Sequence, residues 1–370
     1  MKLADYTTAI IGTGRVGSQF DFVPEHPDNH ADAIAVSGNF ELVAGVNRGR
    51  EKLDAFGERH GIKALYHDYL QMLKDIGPDL CIIATHPELH REMVEGCVSV
   101  PTTKAIICEK PMALSLEECD AMIESCSKAG ILLQINHNRR WDNQWLMVKK
   151  LLEDGAIGDL NHVYCYMDGG KPAPWWRSEN EGPLLHDFTH YFDLLDLYIG
   201  EVDWLCGMAE QRKRPWAVED FSAAFIKFRS GVTGVITGAE LTEYDDSGME
   251  FRGSTGVIRV DGDGLKLFQS QQDVYEPDSG FQWSTLQPQE LSLPPTNSSY
   301  VDALQELYDA LEGKTALRSD GLVGRRSLEI VMGIYQSQIN GCRPVNFPVQ
   351  IKKSGVEELR RLNQFIDKTN

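Results

Sequence analysis

The pattern of apolar and polar positions divides the chain into two parts. In the first 137 residues, short apolar runs alternate with amphipathic stretches. The runs that read as buried strands are TTAIIGTG, FELVAGVN, DLCIIATH, AIICEKP and ILLQINHN. Alternating strands and helices are typical of a parallel, doubly wound sheet with helices on both faces. We therefore predict an α/β domain over residues 1–137.

After residue 137 the pattern changes to consecutive strands and then to helices. FSAAFIKFRSGVTGVITGAEL predicts a hairpin that turns at Ser230-Gly231, and GMEFRGSTGVIRVDGDGLKLFQ predicts two or three more strands. Helical patterns fill most of the chain after Ser299. Residues 138–370 are therefore predicted to form an α+β domain built on a mainly antiparallel sheet.

Composition narrows the class of protein. A chain of 370 residues is too long for one ordinary core, which agrees with two domains. The net charge of -19 argues against binding nucleic acid, and no apolar run approaches the length of a membrane span. The start, MKLADYTTAI, lacks the pattern of a cleavable signal, and the eight scattered cysteines read as reduced thiols. We expect a cytoplasmic protein.

A glycine-rich loop follows the first predicted strand. AIIGTGRVGSQF contains Gly12-x-Gly14-x-x-Gly17 between a strand and an apparent helix, which is the setting of a dinucleotide-binding loop. Gly12 would allow a tight turn, Gly14 would let a pyrophosphate approach the backbone, and Gly17 would let helix and strand pack closely. A purely structural turn is the alternative. The residues expected to contact the cofactor are Gly12, Thr13, Gly14, Arg15, Val16 and Gly17.

The end of the second strand bears on the choice of cofactor. An acidic residue there usually binds the adenosine ribose of NAD, but this chain has Asn47 followed by Arg48. An arginine attracts a 2′-phosphate, so the sequence favours NADP over NAD. The alternative is that Arg48 and Arg50 are solvated turn residues.

The most specific local feature is Glu109-Lys110-Pro111, which follows the strand AIIC. Ligands of open parallel sheets bind at the carboxyl ends of the strands. An ammonium group at that edge can hydrogen-bond a substrate hydroxyl and favour its alkoxide. The alternative is a surface lysine paired with Glu109.

GPLLHDFTHYFD places His186 and His190 four residues apart in a helical pattern. Such a pair suits either zinc binding or proton transfer. Zinc hydrolysis would need a glutamate directly after the first histidine and a third ligand, whereas this chain has Asp187 there and shows no obvious third ligand. We therefore expect no metal, and two histidines packed in a helix interface remain the other possibility.

Taken together, these motifs resemble those of the glucose–fructose oxidoreductase/inositol dehydrogenase (Gfo/Idh/MocA) family. The motifs that carry the resemblance are Gly12-x-Gly14-x-x-Gly17, ATHPELH, EKP, NRRW and HDFTHYFD, in that order. The resemblance covers nearly the whole chain. It implies a Rossmann domain, a second α/β domain with a large open, mainly antiparallel sheet, and nicotinamide-dependent oxidation or reduction of sugars, polyols or related compounds.

The resemblance also implies roles for particular residues. Those expected along the cofactor are Thr85, His86, His90, Glu109, Lys110 and Pro111, in addition to the glycine loop, Asn47 and Arg48. Family members usually carry Asp-x-x-x-His in the second-domain helix, with the histidine as proton acceptor. Here His190 matches the histidine, and His186 stands in place of the aspartate.

Substrate contacts are expected from several parts of the chain. In the loop KPAPWWRSENEGP, Trp175 and Trp176 could stack on a sugar face and Arg177 could bind hydroxyl or acid groups, although core anchoring is the alternative for the tryptophans. Arg140 and Trp141 are expected to be substrate contacts or hinge residues. The full set expected to bind substrate is Lys110, Arg140, Trp141, Trp176, Arg177, His186, Asp187 and His190.

The sequence thus predicts an NAD(P)-dependent oxidoreductase in which Lys110 and His190 handle the proton of a hydroxyl group. One alternative is a redox glycosidase of the same architecture, which would show no net cofactor turnover. Another is a regulatory protein that senses nucleotide without catalysis. By analogy, the open sheet favours a homodimer or homotetramer.

Overall fold

The protein folds into two compact units. A computed structural model describes residues 4–20, 26–169, 179–276 and 281–366. One unit comprises Met1–Asp142 with Asn297–Leu328, and the other comprises Asn143–Thr296 with Glu329–Asn370. The first division lies five residues beyond the predicted boundary at 137. Residues 297–328 pack with the N-terminal unit, although the sequence assigned them to the second domain.

The first unit is built on a six-stranded parallel sheet in the order β3-β2-β1-β4-β5-β6. Its strands are β1 (Tyr6–Ile11), β2 (Phe40–Val46), β3 (Ala64–Tyr66), β4 (Leu80–Ile83), β5 (Ala105–Cys108) and β6 (Leu132–Ile135). The five predicted strands are confirmed, and the three-residue β3 was not predicted. The order reverses at β1, so the crevice beside the carboxyl ends of β1 and β4 is where this fold binds ligands.

The helices of this unit have local signals at their ends. They are α1 (His30–Ser37), α2 (Arg50–His60), α3 (Tyr69–Ile76), α4 (His90–Val98), α5 (Leu116–Ala129) and α8 (Ser299–Leu311). In α5, the Ser115 side chain accepts a hydrogen bond from the Glu118 N–H, and Gly130 ends the helix in the left-handed conformation. Helix α8 contributes Tyr300, Leu304 and Leu307 to the core beneath the parallel sheet.

The second unit is built on a nine-stranded sheet in the order β14-β13-β12-β11-β7-β10-β9-β8-β15. Its strands are β7 (Leu160–Asp168), β8 (Val202–Glu210), β9 (Phe221–Phe228), β10 (Thr233–Ala239), β11 (Asp246–Gly253), β12 (Gly256–Asp261), β13 (Gly264–Glu276), β14 (Phe281–Gln289) and β15 (Val345–Asn346). All neighbours are antiparallel except β7 and β10. The predicted hairpin at Ser230-Gly231 is confirmed, with Gly231 at φ +97°.

The remaining helices are α6 (Asn143–Glu153), α7 (Thr189–Tyr198), α9 (Gly321–Ile339) and α10 (Gly355–Arg361). The division between the two units falls within α9, after Leu328. Among the residues that the structure describes, no helix has the length and apolar character needed to cross a bilayer.

Candidate active site

Two of the three loop glycines are required by the fold. Gly12 has φ +103°, and a Cβ on it would lie 2.3 Å from the carbonyl oxygen of Ala84, beyond the end of β4. A Cβ on Gly17 would lie 2.1 Å from the carbonyl oxygen of Gly12. Both distances are far shorter than van der Waals contact, so any larger side chain would move the backbone of the loop away from the sheet.

Gly14 is different, because neither its φ nor its packing requires a glycine. Its φ is -83°, and a Cβ built on it would meet no protein atom within 4 Å. The missing side chain therefore leaves open space on the ligand side of the loop. That space is what the close approach of a dinucleotide pyrophosphate needs, so the residues present fit a nicotinamide dinucleotide.

The segment after the loop departs from the predicted helix. Arg15–Gln19 form a single π-helical turn, in which the Ser18 and Gln19 N–H groups donate to the Gly14 carbonyl oxygen. Thr13 is buried, and the guanidinium of Arg15 lies 4.4 Å from the centre of the Phe20 ring. One turn has a smaller aligned dipole than the long helix expected from the sequence, so bound phosphate would depend more on individual N–H groups.

Asn47 and Arg48 occupy the predicted position directly after β2. The Asn47 side chain accepts a hydrogen bond of 2.9 Å from the Gly49 N–H, so it shapes the turn into α2. Arg48 is exposed. An exposed cation at this end of β2 is compatible with binding a 2′-phosphate, and the preference for NADP stays a prediction.

Backbone hydrogen bonds hold the loops after four neighbouring strands side by side. The Ala84 N–H donates to Ile11, the Glu109 N–H to Ile83, and the Asn136 N–H to Cys108, at distances of 2.8–2.9 Å. The glycine loop, Thr85, Lys110 and His137 therefore lie along one edge of the parallel sheet. The sequence predicted the glycine loop and Lys110 from the strand ends, and the family resemblance implied Thr85, but His137 was not predicted.

His90 is fully buried, in contrast to the exposed His86. Its Nε2 lies 3.1 Å from the carbonyl oxygen of Thr85, and its Nδ1 lies 3.1 Å from that of Pro111 and 3.2 Å from that of Met112. The ring thus ties the loop after β4 to the loop after β5. These contacts give His90 a position between the two loops, and its expected contact with the cofactor stays a prediction.

Glu109 anchors the lysine motif through a buried network. His30 Nε2 lies 2.8 Å from Glu109 Oε1, and the Asn136 amide donates to the same oxygen at 2.7 Å. Burial alone would raise the pKa of Glu109, but the hydrogen bonds from His30 and Asn136 and the charge of Lys110 hold it below its ordinary value. The carboxylate therefore stays ionised beside Lys110, whose peptide bond to Pro111 is cis.

Lys110 is half-buried, and its positive charge lowers the pKa of His137. Burial and the positive charges of Arg140 and Lys110 hold the pKa of His137 well below its ordinary value. His137 is therefore neutral at physiological pH, and it adds no second positive charge beside the lysine.

Arg140 and Trp141 are both buried. The Arg140 guanidinium donates to the carbonyl oxygen of Arg318 at 2.9 Å, and the Trp141 indole N–H donates to Glu306 Oε2 at 3.1 Å. Both bonds join the Asn138–Trp141 turn to the returning segment 297–328. These contacts support the packing of the two residues, and the expected substrate contact stays a prediction.

In the second unit, the predicted histidines lie at the start of one helix. Leu184–Phe188 form a π-helical turn that contains His186 and Asp187, and His190 lies in the first turn of α7. His186 and His190 are both half-buried. Single π-helical turns are frequent at functional sites. The predicted contacts Trp175, Trp176 and Arg177 lie outside the described residues.

His186 is paired with a carboxylate that the sequence did not single out. Its Nδ1 lies 2.9 Å from Glu181 Oε1, and its Nε2 lies 4.0 Å from Asp187 Oδ1. The Glu181 side chain is only 4% exposed, whereas that of His186 is 28% exposed. The imidazole therefore has a buried carboxyl group beside Nδ1, and part of its ring is exposed.

A second buried carboxylate supports the start of this helix. Glu219 accepts a hydrogen bond of 2.9 Å from the Leu184 N–H and one of 3.0 Å from the Tyr335 hydroxyl. Gly182 is packed against it, since a Cβ there would lie 2.3 Å from Glu219 Oε1. Burial raises the pKa of Glu219 to about 7, against the opposing effect of the hydrogen bonds from Leu184 and Tyr335.

Sequence reasoning therefore missed His30, Asn136, Glu181 and Glu219, which hold the predicted site residues in place. His30 lies in the long segment between the glycine loop and β2, and its position there gave no signal of a contact with Glu109. Within residues 4–20, 26–169, 179–276 and 281–366, no group of three or more histidine, cysteine, aspartate or glutamate residues is arranged to hold a metal ion.

Comparison with known proteins decides the family. The model described as "Oxidoreductase family, NAD-binding Rossmann fold" matches residues 6–137, and that of the GFO/IDH/MocA C-terminal domain matches residues 145–259. The chain belongs to the Gfo/Idh/MocA oxidoreductase family. The resemblance drawn from the motifs is thereby confirmed.

Curated relatives of this Gfo/Idh/MocA protein include sugar and polyol dehydrogenases. A D-apiose dehydrogenase from Paraburkholderia graminis is 29% identical over 64% of this chain and 64% of its own length. Myo-inositol 2-dehydrogenase from Thermotoga maritima is 27% identical over 68% of this chain and 74% of its own. A D-apiose dehydrogenase from Rhizobium rhizogenes is 26% identical over 81% of this chain and 88% of its own length.

Solved structures agree on the fold. The WlbA dehydrogenase from Bordetella pertussis, in complex with NADH and UDP-GlcNAcA, has a TM-score of 0.75 at 24% identity, covering 93% of this chain and 99% of that one. An oxidoreductase from Agrobacterium radiobacter, in complex with NAD+, L-tartaric acid and magnesium, has the same TM-score and identity. The match covers 93% of this chain and 98% of that one.

Proposed function

We propose that this protein is an NAD(P)-dependent dehydrogenase that transfers a hydride between the nicotinamide and a hydroxyl or keto carbon of a sugar or polyol. The observation that carries the proposal is Gly14, a glycine that the fold does not require and that leaves room for a pyrophosphate. The names of the three curated relatives, which specify apiose and myo-inositol, support a small polyhydroxylated substrate.

The proposed roles follow from side-chain chemistry. When bound, the cofactor accepts or returns the hydride. The Lys110 ammonium donates a hydrogen bond to the substrate oxygen and stabilises the negative charge that develops on it. The imidazoles of His186 and His190 are the groups that take up the hydroxyl proton during oxidation and return it during reduction.

Turnover tests this function directly. The protein is incubated with NAD+ or NADP+ and a panel of inositols, apiose, other aldoses and glycosides, while absorbance of the reduced nicotinamide is followed. The expected result is net reduction with one substrate class, and its loss in Lys110→Met. Glycoside cleavage without net reduction would instead identify a redox glycosidase, and cofactor binding with neither activity would identify a sensor.

For the cofactor we propose NADP. The support is Arg48, an exposed cation beside Asn47, which stands after β2 where NAD enzymes usually carry an acid. Arg48→Ala is expected to raise the KM for NADP+ at least about tenfold and to leave that for NAD+ within about twofold, because only the 2′-phosphate loses a charge partner. Equal effects on both cofactors would contradict the assignment.

We also propose that the protein is a homodimer or homotetramer assembled through the open sheet. Phe225, Val235 and Tyr164 are neighbours across β9, β10 and β7, and Phe225 and Tyr164 are 37% and 40% exposed. Beside Tyr164, the buried Glu250 is ion-paired with Arg252 and Arg259. Light scattering should give at least a dimer for the wild type and a smaller species for Phe225→Glu, and a monomeric wild type would refute the proposal.

For the compartment we propose the cytoplasm. All eight cysteines are thiols in the structure, and most of them are buried. Proteins of reducing compartments keep their cysteines in this form. Titration of the unfolded protein without reductant should therefore find eight thiols, and fewer would indicate disulfides formed in an oxidising compartment.

A further inference from the structure

A glycine of the second sheet lies against the histidine turn, which is the segment Leu184–His190. Gly238 is the second-last residue of β10, and its φ is not positive, so the backbone does not require a glycine there. A Cβ built on it would lie 2.2 Å from Cε2 and 2.4 Å from Cζ of the Phe188 ring. Glycine weakens a strand and often marks a place where another group approaches closely. The missing side chain at position 238 therefore makes room for Phe188.

The Phe188 ring is also enclosed by its own helix. The residue is only 1% exposed, and its ring centre lies 5.8 Å from that of Phe192 and 6.0 Å from that of Tyr191. Protein interiors are closely packed, so a ring with neighbours on several sides does not move aside freely. A methyl group on Gly238 would therefore push on the histidine turn, in addition to pushing on one side chain.

The start of the histidine turn is fixed separately by Glu219. This buried side chain accepts a hydrogen bond of 2.9 Å from the Leu184 N–H, and Gly182 is packed against it. Because its start is held, the turn would tilt when Phe188 is pushed, and it would not move away from the sheet as a whole. Glu219 and Gly238 thus determine the positions of the two ends of the turn.

The two imidazoles are carried by this turn. Phe188 lies midway between His186 and His190, two positions from each, and residues two positions apart do not share a helix face. To reach an ordinary contact distance from a methyl group at position 238, the Phe188 ring would have to move by about 1 Å. A misplacement of about 1 Å in an active site can lower a rate about a hundredfold.

We propose that Gly238 is a positioning residue for catalysis, which sets how closely the histidine turn packs on the second sheet and thereby where its imidazoles meet the substrate. This rests on the proposed dehydrogenase function. It applies to His190, the proton acceptor that the family motif implies, and equally to His186 four residues before it. A larger residue at position 238 would displace both rings from the substrate hydroxyl.

Gly238→Ala tests the proposal. We expect kcat to fall about tenfold to a hundredfold, KM for the substrate to change less than about threefold, and the solvent isotope effect on kcat to rise, because proton transfer to a displaced imidazole is slower. Gly234→Ala is the matched control. It adds the same methyl group to the same face of β10, where the nearest atom is Val163 Cγ1 at 3.1 Å, and its kcat should stay within about twofold of the wild type. An equal kcat in the two variants would overturn the proposal.

A double-mutant cycle separates positioning from folding. Phe188→Leu removes the outer ring atoms that the new methyl group would overlap, so Gly238→Ala in that background should change kcat by less than about twofold. An equal loss of kcat in both backgrounds, or an unchanged solvent isotope effect, would mean that Gly238 serves only the fold. Partial unfolding lowers the amount of active enzyme, but it does not change the isotope effect of the enzyme that remains folded.

The isotope effect of Gly238→Ala decides the question by itself if Phe188→Leu is too slow to assay. An active wild type with an unaffected Gly238→Ala would overturn this inference alone and leave the proposed function standing. A wild type without turnover on any substrate would refute the proposed function, and this inference with it.

Discussion

The buried carboxylate of Glu219 gives a quantitative prediction about stability and pH. Its pKa is about 7 in the folded protein, whereas an unfolded glutamate titrates near 4.5. Between these two values the folded state holds a proton that the unfolded state has released, so stability falls as pH rises from about 4.5 to about 7. A difference of about 2.5 pKa units corresponds to about 3 kcal/mol at 1.36 kcal/mol for each unit.

The perturbation is Glu219→Gln, which is nearly isosteric. Its amide oxygen can still accept from the Leu184 N–H, and its NH₂ group can donate to the Tyr335 hydroxyl, so both hydrogen bonds survive. The variant has no carboxylate to ionise. We therefore expect it to lose this pH dependence and to exceed the wild type at pH 8 by up to about 3 kcal/mol, or about 6–12 °C for a unit of this size.

The assay is thermal or urea unfolding of the wild type and Glu219→Gln at several pH values from 5 to 8. Tyr335→Phe serves as an opposing variant. It removes a hydrogen bond that favours the ionised carboxylate, so it should raise the pKa of Glu219 further and extend the loss of stability to higher pH. Parallel pH profiles for the wild type and Glu219→Gln would refute the reasoning, because Glu219 would then be titrating normally.

Further predictions concern the glycine loop and the buried network of the first unit. Gly17→Ala should destabilise the protein by about 1–3 kcal/mol in urea unfolding, because its Cβ would overlap the Gly12 carbonyl oxygen, and an unchanged midpoint would contradict the close packing. Gly14→Ala should leave the unfolding midpoint unchanged but weaken cofactor binding at least about tenfold by calorimetry; the reverse pattern would mean that Gly14 serves the fold. His30→Ala should cost about 1–3 kcal/mol by leaving Glu109 with an unmet hydrogen bond, and no loss of stability would show that the contact is dispensable.

The parts of the fold that were predictable depend on local pattern. The apolar runs of β1, β2, β4, β5 and β6 are continuous because both faces of a parallel sheet are covered, so each run is visible by itself. The glycine loop was predictable for a similar reason, since the requirement at Gly12 and the opening at Gly14 each concern a single residue type at a fixed spacing. Three-residue β3 has too few positions to show any period.

The supporting contacts were not predictable, because they join distant segments. His30 and Glu109 are 79 residues apart, and Glu219 and Tyr335 are 116 apart. No local pattern records which buried carboxylate a histidine or tyrosine will meet. Glu181 lies only five residues before His186 in the sequence, but a glutamate followed by a glycine is not a motif that predicts a contact with histidine.

The sequence placed α8 in the second domain, whereas the structure packs it with the first unit, and the physical reason for this difference is another one. Its amphipathic pattern shows that one face must be covered, but it does not show which part of the chain covers that face. In the structure, Tyr300, Leu304 and Leu307 fill the core beneath the parallel sheet. The same limit applies to Trp141, because its sequence position did not show that its indole N–H donates to Glu306.

The return of α8 to the parallel sheet constrains any attempt to make the nucleotide-binding unit as a separate recombinant fragment. A fragment ending at residue 142 would lack Tyr300, Leu304 and Leu307 and would expose the apolar surface that they cover. At about 1.5–3 kcal/mol for each buried side chain, the loss is roughly 5–9 kcal/mol, which approaches the entire stability of many domains. Residues 297–328 would have to be spliced directly onto residue 142 for such a fragment to remain folded.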